Sequence, residues 1–374
     1  MAVGNGVGLE ASLPEAPLGS IVVAVPAGQD VEGAVEGAIA GAVKIGATDE
    51  SGTLRFGEES FTVAEALEAM ESGYREVFPL NDYEGEALPE FANQVNETKT
   101  DLQSPGKKDV HVLLPVFPGT NSEYDMAEAF VAAGATYEFH VIRNLTPAML
   151  AEDTKAFIEK LQDSDILAFS GGFSLGDEPD GSAKFIAAFL RSDDVAAAVK
   201  EFVADNGLVL GICNGFQALV KSGFLPYGDP AQLREDSPTL AHNRQLRHVS
   251  RIATTRVATV NSPWLRGFEP GQTHLMPVSH GEGRFVVSED EARRLFEAGQ
   301  VAFQYVDADG VPTMTAPANP NGSSYAIEGI VSADGRILGK MGHPERFREG
   351  LMRNIPGIGE QDIFGNAVRW VRGE

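Results

Sequence analysis

Between residues 110 and 223, short apolar runs alternate with longer stretches whose apolar residues return every three to four positions. Val110 to Val116, Tyr137 to Ile142, Ile166 to Phe169 and Leu208 to Ile212 are the short runs, and each reads as a strand. The stretches between them read as helices. Glu123 to Ala133 is stopped by Gly134, Pro147 to Leu161 carries proline in its first turn, Ala183 to Asp205 is helical in pattern, and Asn214 to Lys221 is stopped by Gly223. Near-continuous apolar strands separated by helices predict an α/β fold, a parallel sheet covered by helices on both faces. From about Leu246 shorter strands dominate: Ile252 to Val260, Arg284 to Ser288, Val301 to Tyr305, Tyr325 to Val331 and Ile337 to Met341.

The first part of the chain has another rhythm. Gly19 to Val25 is a β-branched run ending at Pro26, Asp30 to Val43 has helical spacing, and Thr53 to Phe56 is a short strand. Thr62 begins a helix running from Val63 to Gly73, with Glu65 placed to close a capping box. Together these predict a small α+β piece. From about Leu80 to Lys108 the sequence is polar and aperiodic, with Ser104-Pro105-Gly106 near its end, and reads as a linker.

Length and charge sharpen this division. A chain of 374 residues exceeds the size at which one core usually splits, so two structured units are expected. The first 108 residues hold 19 acidic and 6 basic side chains, against 35 and 23 in the remainder. The formal net charge of -25 argues against nucleic-acid phosphates or an anionic membrane as the main partner. With 43% hydrophobic and 22% charged residues the chain can build real cores. No apolar run approaches the roughly 18 residues needed to span a bilayer. The opening Met1-Ala2-Val3-Gly4-Asn5-Gly6 has neither the basic start nor the apolar core of a secretory signal. A single cysteine cannot form an internal disulfide, so a reducing compartment, the cytoplasm, is expected.

That cysteine, Cys213, stands in Leu208-Val209-Leu210-Gly211-Ile212-Cys213-Asn214-Gly215-Phe216-Gln217. A strand delivers it to a sharp turn, Gly211 and Gly215 leave room for the chain to reverse, and a helix follows at once. This is the nucleophile-elbow arrangement with sulfur in place of the serine hydroxyl. It puts the thiol at the carboxyl edge of a parallel sheet, where open α/β folds bind ligands, and a helix N-terminus favours negative charge there. Read alone, the same spacing also suits a buried structural cysteine.

A cysteine nucleophile needs a base. Of seven histidines, His343 opens His343-Pro344-Glu345 directly after a strand. Proline pushes the residue before it toward extended backbone, where residues two apart share a face, so Glu345 can orient His343 as the third member of a triad. Alone, the tripeptide is equally an exposed histidine beside a surface glutamate. A third segment, Phe169-Ser170-Gly171-Gly172-Phe173-Ser174-Leu175-Gly176-Asp177, follows a strand; its glycines free backbone N–H groups to face an oxyanion, with the amide of Asn214 as a second donor, or else form a plain turn.

Taken in order, Ser170-Gly171-Gly172-Phe173-Ser174-Leu175-Gly176-Asp177, Gly211-Ile212-Cys213-Asn214-Gly215-Phe216-Gln217, Ser279-His280-Gly281-Glu282-Gly283-Arg284-Phe285 and Gly342-His343-Pro344-Glu345-Arg346 resemble the glutaminase region of the phosphoribosylformylglycinamidine synthase family, also called formylglycinamide ribonucleotide amidotransferases. Phe117-Pro118-Gly119-Thr120-Asn121-Ser122-Glu123-Tyr124-Asp125 and Asn319-Pro320-Asn321-Gly322-Ser323 match as well, and the resemblance covers about 109–374. Residues 18–79 resemble more weakly the tail of the family's synthetase portion. The expected organisation is therefore a synthetase remnant at 1–80, a linker at 81–108 and a glutaminase domain at 109–374, the C-terminal part of a longer enzyme.

The resemblance implies a class I glutamine amidotransferase-like, flavodoxin-like fold. It implies that Cys213 attacks the side-chain amide of glutamine to form a glutamyl thioester, that His343 moves the protons and that Glu345 holds His343. Gly172 and Asn214 are the expected oxyanion donors, and Gln217, His280 and Glu282 are expected to line the mouth that seats glutamine. Ammonia would pass to the synthetase portion, where ATP and magnesium act; no cofactor is implied in this chain, and its expected activity is glutaminase only.

This sequence departs from the family at Leu175, where tyrosine is often found, at Gly342, where proline is common, and at Ser122, a position that cysteine also occupies among related sequences. None of these removes a triad group. Two other readings stand beside this one: a different elbow-cysteine hydrolase or peptidase, which leaves the combination with His343-Pro344-Glu345 unexplained, and a non-catalytic docking domain, against which the intact triad speaks. Arg234, Arg244, Arg247, Arg251 and Arg256 form a basic stretch, either a docking face for an acidic synthetase portion or a solvated strand face with ordinary ion pairs. Scattered histidines and one cysteine offer no metal-ligand spacing. Asp177, Glu178 and Asp180 read as helix N-terminal charges.

Overall fold

The computed structural model describes residues 2, 6–12, 19–28, 43–74, 83–98, 102–176 and 181–374. The chain divides into two units, Met1–Leu80 and Asn81–Glu374.

In the first unit, β1 (Gly8–Ala11), β2 (Gly46–Asp49), β3 (Thr53–Phe56) and β4 (Glu59–Thr62) form a sheet of order β2-β1-β3-β4. Helix α1 (Val63–Ser72) starts as its sequence predicts: the Thr62 hydroxyl accepts the Glu65 amide at 3.1 Å and the Glu65 carboxylate accepts the Thr62 amide at 2.7 Å. The strand expected over Gly19 to Val25 is not formed. Residues 21–26 have no strand assignment, and Ile21, Val22 and Val23 are exposed. A β-branched run becomes a strand only when a neighbouring edge pairs with it. Residues 30–42 of the helix expected from Asp30 lie outside the described residues.

The second unit is built on nine strands: β5 (His111–Val116), β6 (Thr136–Val141), β7 (Ile166–Phe169), β8 (Leu208–Ile212), β9 (Val249–Val257), β10 (Thr273–His280), β11 (Val301–Tyr305), β12 (Ile327–Val331) and β13 (Ile337–Lys340). Their order is β10-β9-β11-β12-β13-β8-β7-β5-β6. From β13 to β6 every pairing is parallel; from β10 to β13 every pairing is antiparallel. Strands β9 to β13 thus extend the parallel sheet, whereas Arg284–Val286, within the strand expected over Arg284 to Ser288, pairs antiparallel with Thr239–Ala241 in a separate two-stranded sheet.

Helices α2 (Glu123–Ala132), α3 (Pro147–Gln162), α4 (Lys184–Leu190), α5 (Asp193–Ala204), α6 (Asn214–Ser222), α7 (Glu289–Glu297) and α8 (Ile363–Arg372) cover it. The step from β5 to β6 goes one way along the sheet, and the step from β6 to β7 goes back past β5. Right-handed crossovers then put α2 and α3 on opposite faces. Phe130 of α2 meets Phe364 of α8 edge to face at 4.9 Å, and α3, α4, α5 and α6 pack in a second set. The helical stretch from Ala183 to Asp205 is two helices, broken at Arg191 and Ser192 where the backbone turns extended at Ser192.

Strands β7 and β8 are buried at every position, and α6 is buried everywhere except Lys221, so this helix lies inside the fold. The close approach requires glycine. A Cβ on Gly215 would lie 2.1 Å from the Phe169 carbonyl oxygen, and one on Gly211 would lie 2.6 Å from Leu219 Cδ1.

Residues 83–98, within the stretch read from sequence as linker, lie along the second unit. Glu90–Asn93 is a 3-10 turn with Phe91 and Ala92 buried, the Tyr83 hydroxyl donates to the Asn319 carbonyl at 2.6 Å, and Asn96 bridges to Thr259. Two arginines of the basic stretch hold this segment. Arg244 stacks over the Tyr83 ring at 4.6 Å, and buried Arg256 donates to the Asn93 carbonyl at 3.0 Å and to Gln304 at 2.9 Å.

Candidate active site

Parallel register lines up three strand ends. Phe169 pairs with Gly211, and Gly211 with Gly339, so the residues that follow β7, β8 and β13 leave the sheet side by side. These are the Ser170 loop, Cys213 and the run to His343. The loop after β5 joins them, because the order of β7, β5 and β6 makes the chain diverge at this edge and opens a crevice there.

Cys213 has φ 51° and ψ -104°, a backbone conformation costly for a residue with a side chain, and its amide donates to the Lys340 carbonyl at 2.9 Å. The turn thereby aims the thiol out of the sheet edge while its backbone stays tied to β13. The sulfur lies 3.9 Å from the Ser279 carbonyl oxygen, and the imidazole of His343 lies near enough for the sulfur to favour its charged form.

His343 is fixed through its own amide, which donates to Pro277 on β10 at 2.9 Å. Its Nδ1 donates to Glu345 Oε1 at 2.6 Å. An extended His343-Pro344-Glu345 was expected; instead Pro344–Arg346 is a 3-10 turn, and that turn carries Glu345 back to the ring. Proline suits the first position of such a turn, where no N–H is needed. Burial opposes charge on His343, but the Glu345 carboxylate and the Cys213 sulfur outweigh it and raise its pKa to about 10. The imidazole is therefore held in its charged form.

Gly171 fits inside this constellation. A Cβ there would stand 3.1 Å from His343 Cε1, 3.3 Å from Ser122 Oγ and 3.5 Å from Cys213 Cβ. Gly172, at φ 145°, pairs with Thr120, while Phe173 and Leu175 donate to the carbonyls of Gly119 and Pro118 at 2.8 Å each. The two glycine loops are thus zipped together. Phe173 and Leu175 are exposed at the rim, and the hydroxyls of Ser170 and Ser174 are buried without a hydrogen-bond partner among the described residues.

The Asn214 side chain accepts the Ser174 amide at 3.3 Å and donates to Gln217 Oε1 at 2.9 Å; Gln217 Nε2 donates to the Glu282 carbonyl. The Glu282 carboxylate accepts the Ser182 amide at 2.9 Å and faces Lys221 at 3.5 Å. Burial pushes that carboxyl up, yet the Ser182 donors and the Lys221 ammonium leave it below the usual carboxylate range. His280 is buried with Nδ1 3.1 Å from Asn243 Oδ1 and Nε2 3.5 Å from Asn321 Nδ2. Burial, then the charges of His343 and His248, lower its pKa to about 3, so it is neutral and cannot share the proton work of His343. The structure therefore brings Cys213, His343 and Glu345 into contact, with Gly172 and Asn214 beside them. It joins Gln217 to Glu282, and sets His280 in an asparagine network that includes Asn321. The acidic segment at 177–180 lies outside the described residues.

Several residues of the site were not singled out from sequence. Asn243, which braces His280, sits in a polar stretch without periodicity. Arg346, which donates to Ser122 Oγ at 3.0 Å and pairs with Asp125 at 3.4 Å, shows only as a charge beside Glu345. Lys340 and Glu328 form a 3.0 Å ion pair with neither side chain exposed, on two strands that read as apolar. A hollow of about 530 Å³ lies at the opposite, amino edge of the sheet, among Lys107, Asp165, Asp205 and Gly207, away from this chemistry.

A buried sulfur, a cationic imidazole and an orienting carboxylate at a glycine-lined sheet edge can form and break a thioester. The chain is similar to known proteins over this domain. Residues 109–371 match the model of the CobB/CobQ-like glutamine amidotransferase domain. Phosphoribosylformylglycinamidine synthase subunit PurQ of Bradyrhizobium diazoefficiens is 36% identical over 250 residues, 65% of this chain and 92% of that protein. The subunit of the same name from Symbiobacterium thermophilum is 38% identical over 261 residues, 69% of this chain and 95% of that one. The solved structure of PurLQS from Thermotoga maritima is 23% identical with a TM-score of 0.49, covering 71% of this chain and 98% of that one.

Proposed function

This chain belongs to the CobB/CobQ-like glutamine amidotransferase domain family, and on that footing we propose that it is the glutaminase part of a phosphoribosylformylglycinamidine synthase, working in purine biosynthesis. Its substrate is L-glutamine. Ammonia released here serves an ATP-dependent synthetase portion, upstream in the same enzyme or on a separate subunit, that converts formylglycinamide ribonucleotide to formylglycinamidine ribonucleotide. Among the described residues no helix is long and apolar enough to cross a membrane, and a cytoplasmic setting suits a cysteine nucleophile that must stay reduced.

The sulfur of Cys213 adds to the side-chain carbonyl carbon of glutamine, and the carbonyl π electrons move onto oxygen. The backbone amides of Gly172 and Asn214 face that oxyanion. His343 transfers its proton to the amide nitrogen, the C–N bond breaks, and ammonia leaves a glutamyl thioester. Neutral His343 then takes a proton from water, the water oxygen adds to the thioester carbon, and the C–S bond breaks. Glutamate departs, and the thiolate and imidazolium are restored. Glu345 steadies the imidazolium throughout. Gln217, His280 and Glu282, whose polar groups are engaged by protein partners, shape the mouth that seats glutamine.

The observation that carries this reading is the meeting of Cys213 with the His343 and Glu345 pair, 2.6 Å between the latter two, at aligned strand ends. Treating the protein with 6-diazo-5-oxo-L-norleucine, a glutamine-shaped electrophile, should add its mass to Cys213. Glutamine should block the reaction and Cys213→Ala should abolish it. Labelling indifferent to glutamine would sink the proposal.

A further inference from the structure

We propose that the ion pair of Lys340 and Glu328 is a positioning clamp for His343; this rests on the reading of His343 as the proton-transferring base. Gly342 immediately precedes His343, and the pair grips both of its backbone polar groups. Glu328 Oε1 accepts the Gly342 amide at 2.6 Å, and Lys340 Nζ donates to the Gly342 carbonyl at 3.2 Å. The grip extends to the nucleophile, because the Lys340 carbonyl takes the Cys213 amide at 2.9 Å and the Glu328 carbonyl takes the Met341 amide at 3.2 Å. Two residues on adjacent strands are thus tied to both arms of the triad, through their side chains at Gly342 and through the Lys340 backbone carbonyl at Cys213.

Residue 342 must be glycine for the clamp to close. A Cβ there would lie 2.3 Å from Met276 Cγ, 2.8 Å from Glu328 Oε1 and 2.9 Å from Lys340 Nζ. Proline would have no N–H for Glu328 to accept. Stability gives little reason for the arrangement. Both side chains are fully buried, Glu328 Oε2 has no hydrogen-bond partner among the described residues, and apolar replacements of a buried pair commonly do as well. What an apolar pair cannot do is hold a peptide group by its N–H and its C=O together.

The test uses the full 374-residue chain. Glu328→Leu with Lys340→Met removes both charges and the grip, whereas Glu328→Gln with Lys340→Met keeps a carbonyl oxygen for the Gly342 amide. Urea unfolding establishes that each is folded. Two readouts follow: kcat and KM for glutamine hydrolysis, and the glutamine-independent rate at which iodoacetamide alkylates Cys213. The leucine pair should lose about 10- to 100-fold in kcat with KM changed less than about 2-fold, and should alkylate more slowly. The glutamine pair should recover most of both. A folded leucine pair with wild-type kcat and alkylation, or equal losses in the two pairs, overturns the clamp. Should the leucine pair not fold, Glu328→Ala with Lys340→Met replaces it. If that too fails while the glutamine pair folds, the ion pair serves the fold and the clamp is overturned. If the wild type hydrolyses no glutamine but alkylation still follows the clamp, the proposed function fails and the clamp stands.

Discussion

His343 and Glu345 meet at 2.6 Å, Nδ1 to Oε1, across one intervening proline, with both residues buried. The short contact fixes which ring nitrogen carries its hydrogen toward the carboxylate and leaves the other for Cys213. Glu345→Gln keeps the volume and removes the charge. It should lower kcat for glutamine hydrolysis by roughly 10²- to 10⁴-fold, with KM little changed, because the lost interaction matters most when the imidazolium must be held. Steady-state kinetics with the purified protein decides it, and a variant with near wild-type kcat would show that Glu345 does not orient the base.

The same contact makes a statement about stability. His343 titrates at about 10 in the folded protein against an ordinary value of 6.5. A raised folded-state pKa means that the native state holds the proton more tightly than the unfolded chain does. The stabilisation is fully present below about 6.5 and fades as pH rises toward about 10. Urea unfolding of the wild type and His343→Gln across that range should show the wild-type advantage shrinking toward high pH. A difference that stays constant would remove the charge coupling from the account.

How much of this was legible beforehand depends on where each signal lies. Cys213 was readable because strand, turn, small neighbours and helix start are all local, within Leu208 to Gln217. Glu345 was readable as a partner of His343 for the same reason, although the turn that joins them replaced the extended chain expected from Pro344. Strand β10 was missed because Pro277 interrupts its pattern, and the proline is tolerated because β10 is an edge strand of the sheet. Lys340 and Glu328 were invisible for a deeper reason. Their meeting follows from the pairing of β12 with β13, in which Gly329 opposes Lys340, and no local pattern encodes that register. Gly19 to Val25 is the converse case, where strong local preference met no edge.

The elbow's glycines can be tested by packing alone. Gly215→Ala would place a Cβ 2.1 Å from the Phe169 carbonyl, a backbone atom that cannot swing aside. We expect destabilisation of about 1–3 kcal/mol or more, since α6 must move off β7. Gly359→Ala is the comparison, because a Cβ there meets nothing within 4 Å, and it should stay within about 0.5 kcal/mol. Equal urea midpoints for the two variants would contradict the close approach of helix and strand.

The buried pair beneath Gly342 yields a prediction in which two mutations do less harm than one. Lys340→Met alone leaves the Glu328 carboxylate in the interior with the Gly342 amide as its remaining donor, and it should cost about 3–5 kcal/mol. Adding Glu328→Leu removes the stranded charge and puts apolar atoms beside Phe303, whose ring already lies 5.1 Å from Lys340 Nζ. The double variant should therefore unfold at a higher urea concentration than either single variant, with a coupling of at least about 2 kcal/mol in a double-mutant cycle. Additive losses would mean that the two charges do not depend on each other. In that event neither would have a reason to sit where both arms of the triad leave the sheet.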